Sequence, residues 1–264
     1  MSPIVSVVIP AAKVDDWLKD AVASALASTL DDIEVIVVLN GAPEVPVSPW
    51  AHDPRVVLQI HPEPLGPAGA SLAGILAANG EFTAHLDADD LMSPDRLARQ
   101  VAILAAEPAV AIVTCGTAFI DRSGHRTGAF RLPVGDDVRR QLVGNNVVPH
   151  SSMTARTAQV LEVGAYDPAM GQMEDYLLIL RLARLGRVVS LPTEDAMYRI
   201  HPNQVHRASA PRPEWIGPIR VARDALASTL GMGTVELRLR AGWWLAQQHA
   251  MHRLSRLRAW KASR

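Results

Sequence analysis

Short β-branched runs alternate with helical patterns through the first half of this chain, and that alternation leaves few folds open. Val5 to Ile9 reads as a buried strand ended by Pro10. From Asp15, the residues Leu18, Val22, Ala25 and Leu26 follow helical spacing. Glu34 to Leu39 is a second strand, stopped by Asn40-Gly41, and Arg55 to Ile60 is a third. Ala68 to Ala78 is a small-residue helix closed by Asn79-Gly80, and Phe82 to Leu86 is a fourth strand. Ser93 as N-cap and Pro94 at the first helical position start a helix that runs to Ala106 and stops before Pro108. Continuous apolar strands separated by helices imply a parallel sheet covered on both faces, the α/β class.

The second half is more mixed. Val110 to Thr114 and Thr117 to Ile120 read as strands, Asp121-Arg122-Ser123-Gly124 as a turn, and Asp136 to Val143 as a helix. Glu174 to Leu185 is a helix stopped by Gly186, with short strands at Val188 to Leu191 and Met197 to Ile200. Pro211, Pro213 and Pro218 mark a boundary, after which the pattern is helical to the end.

Composition removes several classes of function. Twenty-six Lys and Arg against 27 Asp and Glu give a formal charge of −1, without the basic excess of a nucleic-acid binder. A single cysteine, Cys115, excludes a disulfide-stapled scaffold and a multi-Cys zinc site. Pro10-Ala11-Ala12 stands where a dinucleotide-binding turn would need glycines. The apolar run after Pro3 and Ile4 is too short for a signal-peptide core, and no run reaches about 18 apolar residues. A soluble cytoplasmic protein is the expectation.

Asp87-Ala88-Asp89-Asp90 directly follows the fourth strand. Open α/β sheets bind ligands at the carboxyl ends of their strands. Three carboxylates crowded there repel one another, and a hard divalent cation bound to phosphate oxygens would relieve the repulsion. The plainer alternative is that Asp89 or Asp90 caps the next helix. Glu174-Asp175 opens a helix, whose dipole would keep Asp175 ionised and able to accept a proton from an alcohol. Alternatively the two are an ordinary acidic helix start. Arg199 and His201 share a face if Met197 to Ile200 is a strand, and together they could grip a diphosphate or a metal. Asn40-Gly41 could read a base or ribose, or serve only as a tight turn.

Taken in order, these segments resemble the family 2 inverting glycosyltransferases. The resemblance begins at Val5-Ser6-Val7-Val8-Ile9-Pro10. It continues through Glu34-Val35-Ile36-Val37-Val38, Gly66-Pro67-Ala68-Gly69-Ala70-Ser71 and Asn79-Gly80-Glu81. The acidic motif and its following Leu91-Met92-Ser93-Pro94-Asp95-Arg96-Leu97 come next. Asn146-Val147-Val148-Pro149-His150-Ser151-Ser152, Gly171-Gln172-Met173-Glu174-Asp175-Tyr176 and Tyr198-Arg199-Ile200-His201 complete the set.

The resemblance implies a GT-A fold over residues 1–210: a Rossmann-like, mostly parallel mixed sheet flanked by helices. Its nucleotide-sugar half would cover about 1–115 and its acceptor half about 116–210, with a helical extension at 211–264. It implies a nucleotide-diphosphate sugar donor, a UDP-sugar first, and a hydroxyl acceptor on a glycan, glycolipid or natural product. Asp175 would be the general base, with Glu174 beside it. Asp89 and His201 would hold Mn²⁺ or Mg²⁺. Pro10, Ala12, Asn40, Gly69, Asp87, Ala88 and Arg199 would line the donor, and His150, Ser151 and Trp243 the acceptor side. Two positions depart from the family. Leu39-Asn40 replaces a usual acidic pair, though the Asn40 amide oxygen could still accept from a uracil N–H. Pro10-Ala11-Ala12 lacks the usual polar or aromatic residue near the nucleotide.

Two competing readings remain at this level. A sugar nucleotidyltransferase would carry a Gly-rich basic loop, which Pro10-Ala11-Ala12-Lys13 lacks. A degenerate relative would hold a nucleotide-sugar or a partner without turnover. The C-terminal segment repeats Met251, Leu254, Leu257 and Trp260 among Arg253, Arg256, Arg258, Lys261 and Arg264. Such a helix could rest on an anionic membrane at its inner face, or pack its stripe on the catalytic domain.

Overall fold

The computed structural model describes residues 2–41, 48–201 and 212–262, with the side chains of 248, 249 and 251–262 left aside. The first half contains β1 (Val5–Ala11), α1 (Asp16–Leu26), β2 (Ile33–Asn40), β3 (Val56–His61), α2 (Gly66–Ala77), β4 (Phe82–His85), β5 (Leu91–Met92) and α3 (Arg96–Ala106). The second contains β6 (Val110–Ile120), β7 (Arg126–Ala129), α4 (Arg139–Leu142), β8 (Thr154–Arg156), α5 (Thr157–Glu162), α6 (Glu174–Leu182) and β9 (Arg187–Arg199). Helices α7 (Pro213–Thr229) and α8 (Thr234–Ala262) follow.

The nine strands among the described residues join one sheet in the order β3-β2-β1-β4-β8-β6-β9-β5, with β7 on β6. Pairings β3-β2, β2-β1, β1-β4 and β6-β9 are parallel, and β8 runs antiparallel between β4 and β6. Apolar side chains on both faces of the strands explain why helices cover both sides. Val5, Val7 and Ile9 pack with Leu18 and Val22 of α1 and with Leu97 and Leu104 of α3. Val8, on the opposite face, packs with Ala68 and Ile75 of α2 and with α6. Small residues let α2 approach closely: a Cβ on Gly74 would lie 2.3 Å from Val8 Cγ1.

Several elements differ from the sequence reading. β1 does not end before Pro10 but runs to Ala11, with Pro10 registered against Val38. Leu86 N donates to Val8 O and Phe82 N to Ile4 O, so even-numbered residues of β1 address β4. Pro10 lies past the end of β4, where its missing N–H forgoes no ladder bond. α3 starts at Arg96 rather than at Ser93-Pro94, because Ser93 N is drawn to Asp195 O and the two following residues turn. The expected pairs of short strands at 110–120 and 188–200 are single strands, β6 and β9, each carried through irregular register. The helices expected at Asp136 to Val143 and Glu174 to Leu185 are shorter, Arg139–Leu142 and Glu174–Leu182.

Asn79-Gly80 does more than stop a helix. Glu34 Oε1 accepts from Ser6 Oγ at 2.6 Å and from Asn79 N at 2.7 Å, and Gly80 N donates to Ser6 Oγ at 2.8 Å. A Cβ on Gly80 would stand 2.5 Å from Ser6 N, a backbone atom that cannot turn aside. Gly80→Ala is therefore expected to cost about 1–3 kcal/mol of stability, as overpacking does. Urea denaturation checks this, and an unchanged midpoint would refute it.

The C-terminal helices share the core of the second half. Trp215, Ile219 and Leu226 of α7 and Trp244 of α8 join one buried cluster with Tyr176 and Leu177 of α6. Arg223 of α7 sits over the Trp244 ring at 4.3 Å. Among the described residues no helix is long and apolar enough to cross a membrane. The apolar stripe at Met251, Leu254, Leu257 and Trp260, with the basic residues among it, falls on side chains outside those described.

Candidate active site

The acidic loop leaves β4 at the carboxyl end of the parallel strands. The amide of Asp90 donates to Asp87 O at 3.1 Å, which curls the loop so that its three carboxylates converge. Their oxygens lie within 4.8 Å of one another. The three differ in access. Asp90 is 1 % exposed and accepts from Arg199 N at 3.0 Å, so it ties the loop to the end of β9. The side chains of Asp87 and Asp89 are 42 % and 33 % exposed, open to a ligand.

Each open carboxylate has a histidine. His85 Nε2 lies 3.0 Å from Asp87 Oδ1, while Ser151 Oγ donates to Asp87 Oδ2 at 2.8 Å. His201 Nε2 lies 2.7 Å from Asp89 Oδ2, with its ring against Trp17 at 4.7 Å. Desolvation in the cleft opposes ionisation of Asp87. The hydrogen bond and charge of His85, with His150 and Ser151 behind them, outweigh it and hold the carboxyl well below the usual range. Asp89 and Asp90 are pushed up, first by burial and then by the charge of Asp87. This mutual repulsion is what a divalent cation would relieve, so the oxygen donors present fit Mn²⁺ or Mg²⁺. His85, Asp87 and His150 also cluster within 4.8 Å. Their two rings stack at 3.4 Å and 14°, however, so the nitrogen lone pairs lie in nearly parallel planes and do not converge on one ion.

Asp175 comes to the same cleft from the other half of the chain. Met173 takes a left-handed conformation at φ +66° and turns the chain into α6, placing Glu174 and Asp175 in its first turn. Asn146 Nδ2 donates to Asp175 Oδ2 at 3.1 Å. The charge of Asp87 reaches both Glu174 and Asp175. The helix dipole alone would keep Asp175 ionised at low pH. Instead burial raises its carboxyl, with Asp87 adding to the rise and the Tyr176 amide and Asn146 drawing it back. Burial, and then the Asp175 charge, push Glu174 up to about 7.

The sign of the resulting pH dependence follows from linkage. Between the ordinary value of 4.5 and about 7, the folded chain holds the Glu174 proton that the unfolded chain has lost. This carboxyl therefore makes stability fall as pH rises through that window. Glu174→Gln should flatten the fall, read as the urea midpoint followed across the same pH range. An unaltered slope would place the raised carboxyl elsewhere.

Residues 6–162 match the family model described as Glycosyl transferase family 2. The chain belongs to glycosyl transferase family 2. An uncharacterized glycosyltransferase of Nostoc sp. is 29 % identical over 220 residues, covering 78 % of this chain and 67 % of that protein. The amylovoran biosynthesis glycosyltransferase AmsE of Erwinia amylovora is 29 % identical over 186 residues, covering 66 % and 67 %. An uncharacterized glycosyltransferase of Rickettsia typhi is 26 % identical, and this chain spans only 61 % of its length. Among solved structures, S. aureus TarS 1-349 in complex with UDP-GlcNAc superposes with a TM-score of 0.70 at 14 % identity, covering 94 % of this chain and 72 % of that one. The mannosyltransferase PcManGT of Pyrobaculum calidifontis, in complex with GDP-Man and Mn²⁺, gives 0.62 at 17 % identity, covering 97 % and 87 %. These likenesses show the GT-A fold.

The site residues expected for a family 2 glycosyltransferase fall into two groups. Asp87, Ala88, Asp89, Arg199, His201, His150 and Ser151 gather around the acidic loop, with Glu174 and Asp175 beside it. Arg199 does not reach into open space. Its guanidinium is buried, donating to Asp89 O at 2.9 Å and to Arg122 O at 3.0 Å, under the Trp17 ring at 5.5 Å. His150 and Ser151 sit against His85 and Asp87. The remaining residues come from the ends of β1 and β2 and from α2 and α8. Pro10 and Ala12 stand at the end of β1. The Asn40 amide is engaged at both ends, accepting from Leu65 N at 2.6 Å and donating to Gly66 O at 3.3 Å. Gly69 lies in α2, where a Cβ would meet Leu65 Cβ at 2.9 Å. Trp243 is on α8 and 65 % exposed.

Sequence reasoning missed four neighbours. His85 was detectable, since it shares a strand face with Asp87 two residues on. Tyr166, whose hydroxyl lies 2.6 Å from His150 Nε2, gave no local signal. Asn146 was inside a quoted motif but had no assigned role. Arg96 is fully buried and donates to His85 O at 3.1 Å and Met153 O at 2.9 Å, joining β4 to β8 beneath the site.

Proposed function

We propose that this chain transfers a sugar from a nucleotide-diphosphate donor, a UDP-sugar first, to a hydroxyl acceptor with inversion at the anomeric carbon. One observation carries the reading. A convergent Asp87-Asp89-Asp90 loop from one half and a half-buried Asp175 from the other share one cleft, in which the charge of Asp87 acts on Asp175. Metal-binding and proton-accepting carboxylates in one cleft are what transfer between a diphosphate and an alcohol needs.

Asp89 and Asp87 would hold Mn²⁺ or Mg²⁺, with His201 beside Asp89. The bound ion would offset the charge on the departing diphosphate. Asp90 and Arg199 keep the loop curled. Asp175 takes the proton of the acceptor hydroxyl on a carboxylate oxygen, while Asn146 fixes the other oxygen. The acceptor oxygen bonds the anomeric carbon on the face opposite the diphosphate, which leaves with the electron pair of the broken bond. A raised carboxyl suits this step, because a base works best when its pKa approaches the working pH. Asn40 Oδ1 keeps one lone pair after Leu65 N and can still accept from a uracil N–H.

A thermal-shift panel of UDP, GDP, dTDP and CDP, each with and without Mn²⁺, tests the donor side. A ligand at one hundred times its dissociation constant stabilises the folded state by about 2.7 kcal/mol. The expected result is a shift with UDP that requires the metal. A shift with another nucleotide would change the base assignment. No shift with any nucleotide would favour the degenerate, non-catalytic reading.

A further inference from the structure

We infer that the outward face of α8 docks on an anionic lipid surface, an interaction that does not depend on the transfer reaction proposed above. Helix α8 carries two apolar stripes on opposite sides. Trp244 is buried and Leu237 packs on the core of the second half, so one stripe is satisfied. The other is not. Val235, Leu239 and Trp243 are 72 %, 70 % and 65 % exposed, at spacings of four that place them in one line. Gly242, Ala246 and Ala250 are exposed on the same side. A helix that only had to pack on its own domain would need one stripe.

Charge identifies the occupant. From Leu237 to Arg264 the sequence holds six Arg, one Lys and no Asp or Glu. The whole chain carries 26 cations against 27 acids, so residues 1–236 are left with a formal charge of −8. The net positive charge is thus carried by the segment that bears the open stripe. A Trp-Leu-Val face with flanking arginines suits the headgroup boundary, where rings and aliphatic groups enter and guanidinium groups stay with phosphate. A second copy of this helix would bring two strongly positive segments together. A nucleic acid would leave Val235 and Leu239 without apolar contact. In the sequence the stripe continues at Leu254, Leu257 and Trp260, whose side chains are outside those described.

Flotation of the full chain with vesicles tests this. The chain should bind phosphatidylcholine vesicles containing about one third phosphatidylglycerol at least tenfold better than phosphatidylcholine alone, and 0.5 M salt should weaken the binding. The double variant V235Q/L239Q should lose about tenfold in partitioning while keeping its melting temperature and its nucleotide response. If that variant failed to fold, Val235→Ser alone should still lose several-fold. Equal binding to both vesicle types, or binding unchanged in these variants, would overturn the proposal. So would a dimer in solution that the variants dissolve, or DNA binding that the variants weaken in place of lipid binding. Nucleotide binding without vesicle binding would sink this proposal and leave the donor reading intact.

Discussion

Asp175→Asn is expected to lower sugar transfer by about 10²–10⁴-fold, the usual worth of a positioned general base. The change is nearly isosteric and should leave donor binding in place. Asn146 Nδ2 donates to Asp175 Oδ2, and an asparagine can still offer its amide oxygen there. The lost function is proton acceptance on the other oxygen. The informative comparison is turnover against nucleotide affinity in the same preparation: turnover should collapse while the nucleotide-induced thermal shift holds. Full transfer by the variant would remove Asp175 from the mechanism. Loss of both properties together would mean that Asp175 shapes the donor site.

Asp89→Ala should show the converse pattern. Asp89 is an open member of the acidic loop, and its carboxylate lies 2.7 Å from His201 Nε2. Removing it would delete an oxygen of the proposed metal site while Arg199 continues to hold Asp90 and the Asp89 carbonyl. A metal ion's electrostatic contribution is several kcal/mol, so transfer should drop by roughly 10²–10³-fold. The metal requirement of nucleotide binding should disappear with it. The direct readout is Mn²⁺ binding followed by electron paramagnetic resonance. A variant that bound Mn²⁺ as the parent does would move the ligand role to other carboxylates.

The nucleotide half was legible because its signals are local. β-branched runs mark β1, β2 and β3, and the Asp-rich loop follows a strand end directly. The second half was harder for a physical reason. β6 and β9 each read as two short strands because Gly116 and the polar Pro192-Thr193-Glu194-Asp195 run interrupt the apolar pattern. Yet both strands continue, since each supplies the other's ladder across the irregularity. The site residues followed the same division. Asp87, Asp89 and Asp175 announced themselves by residue type and position. Tyr166 reaches His150 only through tertiary packing, and no local pattern marks Arg96 as buried. The rise in the Asp175 carboxyl was also invisible, because dipole arguments see one helix and not the cleft that desolvates it.

The position of β9 between β6 and β5 sets the order in which a growing chain can complete this centre. Asp90 leaves the ribosome 109 residues ahead of the Arg199 amide that anchors it. At usual elongation rates that gap lasts roughly 5–20 s. During that interval three crowded aspartates exist without their anchor, while β1, β2 and β4 already have one another. The parallel strands can therefore form early on the nascent chain, and the acidic loop takes its final shape only when the closing strand arrives.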